Sequence, residues 1–145
     1  MKISGSHMLA VPPERAYQMM QDPDILARAV PGCEALEKTD ENEYRMKMKM
    51  VLASLSGVFD GKIRIADLNP PSSFRLIVEG SGRPGFIKGD GLLHLAANAN
   101  GGTEVSYHGD VQVGGTIAAV GQRLLDGTAK ILIRKFFERL AACAN

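Results

Sequence analysis

The side chains best suited to chemistry in this 145-residue chain are few and widely separated. His7, His94 and His108 fall on three different predicted strands, and no two of them have the spacing that places metal ligands on one face of a helix. His108 and Asp110 share a strand face, but it is a polar face, which favours a solvated pair over a catalytic dyad. Cys33 has no histidine nearby in sequence to activate it as a nucleophile. The sequence therefore predicts no catalytic residue and no metal site.

Residues 44–50 alternate between apolar and basic side chains. On a strand, this alternation puts Met46, Met48 and Met50 on one face and the basic residues on the other, in solvent. Methionine is flexible and polarizable, so it specifies a rigid core poorly and suits a wall that adapts to its contents. Two interpretations of this face stay open: an ordinary core that uses methionine, and the wall of a ligand cavity.

The composition limits the classes of protein to which the chain can belong. One domain over residues 1–145 is expected from the length, and the formal net charge of +1 argues against a nucleic-acid partner. No apolar run approaches the roughly 20 residues of a membrane-spanning helix. The first residues lack the apolar core of a secretory signal, and Cys33 and Cys143 have no metal-like spacing, so a cytoplasmic protein with reduced thiols is predicted.

The predicted elements are one strand, two short helices, six further strands and a long helix. Prolines mark the starts of the short helices, with Asp22 as the N-cap of the second, and turn-forming residues separate the later strands. Strands joined by such short turns pair antiparallel, and only the long helix can cover the apolar face of their sheet. The predicted strands cover residues 3–10, 35–39, 43–53, 57–68, 73–82, 86–97 and 103–113, and the last helix covers Thr116 to Ala142.

Glycines concentrate on the apolar faces of these strands, at positions 57, 61, 80, 82, 89, 91 and 109. Glycine permits bulges and close backbone approach, and it also removes volume that a packed core requires. We therefore predict an apolar cavity between the sheet and the long helix, with Tyr107 as its polar group, because a buried tyrosine hydroxyl seeks a partner. The predicted lining consists of Met46, Met48, Met50, Phe59, Ile63, Leu76, Val78, Val105, Tyr107 and Val111 from the sheet and Ile117, Val120, Gly121 and Leu124 from the helix.

The long helix carries two apolar stripes. At 100° per residue, a stripe from Ile117 to Leu125 faces the sheet, and after Gly127 a second stripe lies roughly 100° away and is flanked by basic side chains. Two explanations stay open: curvature of the helix around the sheet, and docking of this end on a partner or an anionic membrane surface. The residues predicted for such docking are Lys130, Ile133, Arg134, Phe137, Arg139 and Leu140.

Four short blocks carry a family resemblance: Pro31-Gly32-Cys33-Glu34, Lys88-Gly89-Asp90-Gly91, the segment from Val113 to Arg123, and Phe136-Phe137. With the order of elements, they resemble the carbon monoxide dehydrogenase CoxG family of the START/Bet v1-like (SRPBCC) superfamily over nearly the whole chain. The resemblance implies an α+β, helix-grip fold. In it, a seven-stranded curved antiparallel sheet wraps around a long C-terminal helix and encloses an apolar tunnel, with two short helices after the first strand.

The resemblance also implies a role. Family members accompany molybdenum-containing CO dehydrogenases and related hydroxylases, and they are implicated in membrane placement and in handling a quinone-like acceptor. We expect a non-catalytic carrier of a quinone- or lipid-like molecule, without a cofactor of its own. Its expected partners are the subunits of such a hydroxylase and the inner face of the cytoplasmic membrane.

Some family members carry a longer C-terminal extension suited to membrane attachment. This chain ends at Asn145, so the basic-flanked helix end is the expected membrane contact. Two alternatives to the carrier stay open: a cyclase or hydrolase acting through Tyr107 or His7, and a docking subunit that holds no ligand.

Overall fold

The computed structural model describes residues 1–52 and 55–144. Its elements follow the predicted order, with a strand, two short helices, six strands and a long last helix. The strands are β1 (Lys2–Leu9), β2 (Cys33–Asp40), β3 (Glu43–Leu52), β4 (Leu55–Asn69), β5 (Ser73–Gly82), β6 (Gly85–Ala97) and β7 (Thr103–Gly114). The helices are α1 (Pro13–Met19), α2 (Pro23–Ala29) and α3 (Gln122–Ala142), and a short 3-10 helix (Thr116–Val120) precedes α3.

The seven strands form one antiparallel sheet in the order β1-β7-β6-β5-β4-β3-β2. Strands β2 to β7 pair with their neighbours in sequence because short turns leave no other partner. β1 pairs instead with β7, at the opposite edge from β2, so α1 and α2 carry the chain across the sheet. The predicted helix-grip architecture is confirmed.

Local sequence explains how the two short helices are placed. The Asp22 side chain accepts hydrogen bonds from the backbone N–H groups of Asp24 (2.9 Å) and Ile25 (3.4 Å), which confirms it as the N-cap of α2. The Tyr44 hydroxyl donates to the carbonyl of Gln21 at 2.6 Å and ties the connection between α1 and α2 to the sheet. After α2, Gly32 has a φ of 75° and lies against the Lys49 carbonyl, where a side chain would collide.

Two hydrophobic clusters hold the helices to the concave face of the sheet. The main cluster joins α1, α2 and the C-terminal part of α3 to six of the strands, and its buried residues include Met19, Tyr44 and Leu140. The end cluster is smaller: Leu52, Phe59 and Ile117 are buried in it, at the end of the sheet where the 3-10 helix lies.

The predicted continuous helix from Thr116 to Ala142 is wrong at its beginning. Gly121 has a φ of 99°, which an α-helix cannot accommodate, so the preceding residues form the separate 3-10 helix and α3 starts at Gln122. The Ile117 N–H donates to the Pro84 carbonyl at 2.7 Å, which fixes the 3-10 helix to the turn between β5 and β6.

The strand boundaries agree with the predicted ones to within two residues. β1 ends at Leu9 and not at residue 10, β2 starts at Cys33, β4 extends to Leu55 and Asn69, and β7 reaches Gly114. Leu55, which was predicted in a turn, therefore lies in a strand. The predicted end of β3 at Ala53 and the predicted turn residue Ser54 lie outside the described residues.

Candidate ligand-binding site

The methionines of β3 lie on the concave face, as the alternation predicts. Met46, Met48 and Met50 are partly exposed, while the alternating Arg45 and Lys47 are exposed on the convex face. Met46 pairs across the sheet with Gly61, and Met50 pairs with Gly57, so each of these two methionines lies beside a residue without a side chain. Pro84 occupies the space beside Gly57, and the Met46 side chain itself reaches the space beside Gly61, so this edge of the concave face is lined by flexible apolar groups.

The register of the strands places five glycines along a diagonal of the concave face. Gly61 pairs with Gly80, Gly89 follows on β6, and Gly91 pairs with Gly109. We call this line of residues the glycine furrow. It runs for about 20 Å from β4 to β7, as estimated from strand spacing and rise per residue.

The glycines of the furrow have two different structural roles. A Cβ added at Gly109 would lie 2.6 Å from the Asp90 carbonyl oxygen, so close backbone approach explains glycine there. Among the described residues, the nearest heavy atoms to a Cβ added at Gly80 or Gly89 would lie 3.9 Å away, beyond the neighbours in sequence. This is an ordinary van der Waals distance, so at these two positions a Cβ fits without collision.

Helix α3 seals only one end of this face. Phe137 and Leu140 are buried in the main cluster, but no residue from Gln122 to Phe136 is buried. Leu125 packs against the end cluster, whereas Met48 and Val111 belong to neither cluster. The apolar surface between the two clusters is therefore partly exposed beneath the N-terminal half of α3.

The residues predicted to line a cavity fall into three groups. Some complete the packed core: Phe59, Ile63, Val105 and Ile117 are buried. Others are partly exposed on or near the open part of the face: Met46, Met48, Met50, Leu76, Val78, Tyr107, Val111 and Val120. The last two, Gly121 and Leu124, are exposed on the outside of the molecule, because the break at Gly121 changes the direction in which the following residues point. Gly121 and Leu124 are therefore removed from the predicted lining.

An aromatic stack lies beside the furrow and was not predicted from the sequence. The Phe137 ring lies 4.3 Å from the His7 ring and 6.2 Å from the Tyr107 ring, centroid to centroid, with interplanar angles of 14° and 15°. His7 and Tyr107 come from the paired strands β1 and β7, where Tyr107 lies opposite Gly5 and covers it. The alternation of Ile3, His7 and Leu9 could have indicated that His7 points inward.

Burial keeps both polar members of the stack uncharged. It lowers the pKa of His7 below its usual value, although the nearby Glu138 carboxylate opposes this shift. Burial also raises the pKa of the Tyr107 hydroxyl. At neutral pH the pair therefore presents a neutral imidazole and a neutral phenol, each able to donate a hydrogen bond.

The predicted docking residues separate into exposed charges and buried apolar groups. Lys130, Arg134 and Arg139 are exposed, but Phe137 is 5% exposed and Leu140 is fully buried. Ile133 is partly buried and packs against the main cluster. The prediction that Phe137 and Leu140 form a docking surface is wrong, because these residues attach α3 to the sheet.

A different part of α3 presents apolar groups to solvent. Leu124 is 40% exposed and Ile131 is 44% exposed, and their spacing of seven residues puts them on one side of the helix. Exposed basic side chains flank them. One of these, Arg134, has its Nε atom 3.8 Å from the Oε1 atom of the exposed Glu138. We call this surface the outer face of α3; its flanking basic residues are Arg123, Lys130, Arg134 and Lys135.

The remaining candidates for chemistry lie apart from this site. His108 and Asp110 are exposed on the convex face, as predicted. Burial raises the pKa of the Cys33 thiol, which disfavours the reactive thiolate, and both cysteines are free. Within residues 1–52 and 55–144, no group of three or more histidine, cysteine or acidic side chains is arranged to hold a metal ion.

Two solvent-open depressions, of about 570 and 350 Å³, lie along strands β2 to β6. Exposed side chains such as Arg45 and Asp60 line them together with Met46, Gly61 and Gly80, and no residue of α3 takes part. The described helices include none that combines the length and the apolar character needed to span a membrane.

Comparisons with known proteins agree with this architecture. A family model for the CoxG subunit of carbon monoxide dehydrogenase matches residues 5–145. The crystal structure of a conserved protein from Geobacillus kaustophilus is 34% identical, with a TM-score of 0.93 and coverage of 98% of this chain and 93% of that chain. No curated protein matches the sequence.

Two more distant structures share the fold. A START superfamily protein from Mycobacterium smegmatis is 14% identical, with a TM-score of 0.73 over 97% of this chain and 94% of its own. The crystal structure of Ara h 8.0201 is 11% identical, with a TM-score of 0.70 over 100% of this chain and 99% of its own.

Proposed function

The chain belongs to the CoxG family of carbon monoxide dehydrogenase subunits, and on that premise we propose that it is a non-catalytic carrier of a hydrophobic molecule. The family is one of accessory subunits. Its name associates it with CO dehydrogenase, so the proposed partner is a molybdenum-containing CO dehydrogenase or a related hydroxylase. The proposed cargo is quinone- or lipid-like, and the proposed place of exchange is the inner face of the cytoplasmic membrane.

One observation supports the carrier most directly: apolar side chains in the middle of the concave face are only partly covered. Met48 and Val111 are partly exposed and belong to neither cluster, and no residue from Gln122 to Phe136 of the covering helix is buried. A buried apolar ligand gains about 25 cal/mol for each Å² removed from water, before the costs of association. A long apolar tail lying along the furrow would therefore supply most of the affinity.

The carrier proposal is tested by extraction of the purified protein. The protein is produced in whole cells, purified and extracted with organic solvent. The extract is then analysed by mass spectrometry. We expect a quinone or another long-chain lipid at a substantial fraction of one molecule per chain. The same protein after unfolding, washing and refolding without lipid is the control and is expected to give an empty extract.

An extract without such a molecule, together with no uptake of added lipid by the refolded protein, contradicts the carrier. That outcome favours the alternative of a docking subunit with no ligand.

The outer face of α3 is the proposed membrane contact. Its exposed Leu124 and Ile131 lie among basic side chains, and each basic residue near an anionic bilayer contributes about 1 kcal/mol. We expect the double variant Lys130→Glu with Arg134→Glu to lose at least tenfold in affinity for vesicles rich in phosphatidylglycerol, as measured by co-sedimentation.

The matched control reverses two charges on the convex face, Lys47→Glu with Arg64→Glu, which changes the net charge by the same amount. We expect this control to retain more of the vesicle affinity than the helix variant. Equal losses in the two variants would assign the attraction to net charge alone and would contradict a membrane contact at α3.

A further inference from the structure

We propose that His7 and Tyr107 form the head-group site of the carrier and bind a planar ring that bears a carbonyl oxygen. This inference rests on the proposed function, since it requires that a ligand enters the open concave face. It goes further by assigning the end of the ligand that is recognised and the groups that recognise it.

The geometry supplies a flat, largely apolar surface for such a ring. The His7 and Tyr107 rings are 6.0 Å apart and within 7° of parallel, and Phe137 stacks on both. Aromatic rings prefer offset stacking at such separations, so a planar ligand ring fits an existing set of parallel planes. Phe137 is held by burial in the main cluster and keeps its orientation without a ligand.

The polar atoms of the pair are available to a ligand. In the part of the chain that the structure describes, neither the Tyr107 hydroxyl nor the His7 imidazole makes a hydrogen bond to another group of the protein. Tyr107 is also partly exposed, so its hydroxyl is not sealed in the core. Two neutral donors in an apolar setting favour an acceptor such as a carbonyl oxygen over a cation.

The position of the pair also suits an elongated ligand. Tyr107 lies one inward position from Gly109 on β7, so the glycine furrow starts beside its ring. A ring held at His7 and Tyr107 would place its tail along the furrow toward Gly89 and Gly80, where no side chain projects from the sheet and an added carbon fits at van der Waals distance. The ligand class that fits both ends is a ring carbonyl compound with a long apolar tail.

Two ring probes of nearly the same shape test the head-group site. The first is 2,3-dimethyl-1,4-naphthoquinone, whose methyl groups block the positions at which the free thiols of Cys33 and Cys143 would add. The second is 2,3-dimethylnaphthalene, which has no carbonyl group. We expect the native protein to bind the quinone more tightly, as measured by equilibrium dialysis.

The variants Tyr107→Phe and His7→Phe keep the stacked planes and remove the donors. We expect each to lower quinone affinity about five- to tenfold, the usual worth of one hydrogen bond, and to leave hydrocarbon affinity unchanged. Tyr17→Phe is the matched control, because the Tyr17 hydroxyl donates to the Ser73 carbonyl at 3.0 Å, away from the stack. It is expected to keep the native ratio of the two affinities.

The outcomes separate this inference from the carrier itself. Equal binding of the two probes by the native protein overturns the head-group site but leaves an apolar carrier intact. A quinone preference that survives in both variants also overturns it, since another group then recognises the carbonyl. Binding of neither probe contradicts the carrier and the head-group site together.

Discussion

The variant Gly80→Leu is expected to abolish binding of an apolar probe while the protein remains folded. Gly80 lies in the glycine furrow on β5, and the nearest described heavy atoms to an added Cβ lie at an ordinary van der Waals distance of 3.9 Å, beyond the neighbours in sequence. The Cβ of a leucine therefore fits without collision, and we expect the rest of its side chain to lie over the concave face and to occupy the volume that a ligand needs. The measurement is the fluorescence enhancement of N-phenyl-1-naphthylamine, read without tryptophan background because the chain has no tryptophan.

The matched control for this variant is Ser81→Leu. Ser81 is the next residue on β5, so its side chain points to the opposite, convex face and is exposed. The two variants add a leucine to the same strand on opposite sides. Equal probe binding by Gly80→Leu and the native protein, with both folded by circular dichroism, would show that the ligand does not use the furrow.

The variant Leu140→Ala is expected to lower the free energy of unfolding by about 3 kcal/mol, within the usual range for a buried leucine. Leu140 is fully buried in the main cluster, where the C-terminal part of α3 packs against the sheet. The loss combines the apolar surface returned to water with the cavity left behind. Urea denaturation at equilibrium measures it, and an unchanged slope would show that the unfolded states are comparable.

The control is Ile131→Ala on the outer face of α3. Ile131 is 44% exposed, so its truncation is expected to change the free energy of unfolding by no more than about 0.5 kcal/mol. A similar small effect for Leu140→Ala would contradict the assignment of Leu140 to the core. It would support the sequence-based prediction that Leu140 is part of a docking surface.

Most of the sheet could be predicted because strand patterns are local. Alternation sets which residues share a face whatever the partner strand is, and this placed Met46, Met48 and Met50 on the concave side correctly. Turn residues set the antiparallel order of β2 to β7. The pairing of β1 with β7 was not predicted, since no short turn connects the two strands.

The errors in the predicted site residues concern the last helix and have one physical cause. The helical positions of Leu124, Phe137 and Leu140 were counted at 100° per residue from Ile117, through Gly121. Because Gly121 has a φ of 99°, the helix is interrupted there, and the rotation of 100° per residue does not relate Ile117 to the residues of α3. Phe137 and Leu140 of the second stripe are buried against the sheet, whereas Leu124 of the first stripe is exposed.

The sequence by itself determined the inward and outward faces of the strands and the glycines on the concave side, because these depend on a repeat of two residues and on residue type. Only the tertiary structure decided that His7 and Tyr107 both stack with Phe137, and that a Cβ fits at Gly80 and Gly89 but collides with the Asp90 carbonyl at Gly109. These relations depend on the pairing of β1 with β7, the register of β4 to β7 and the rotation of α3 after Gly121. Contacts between residues distant in sequence set all three, and no local pattern records them.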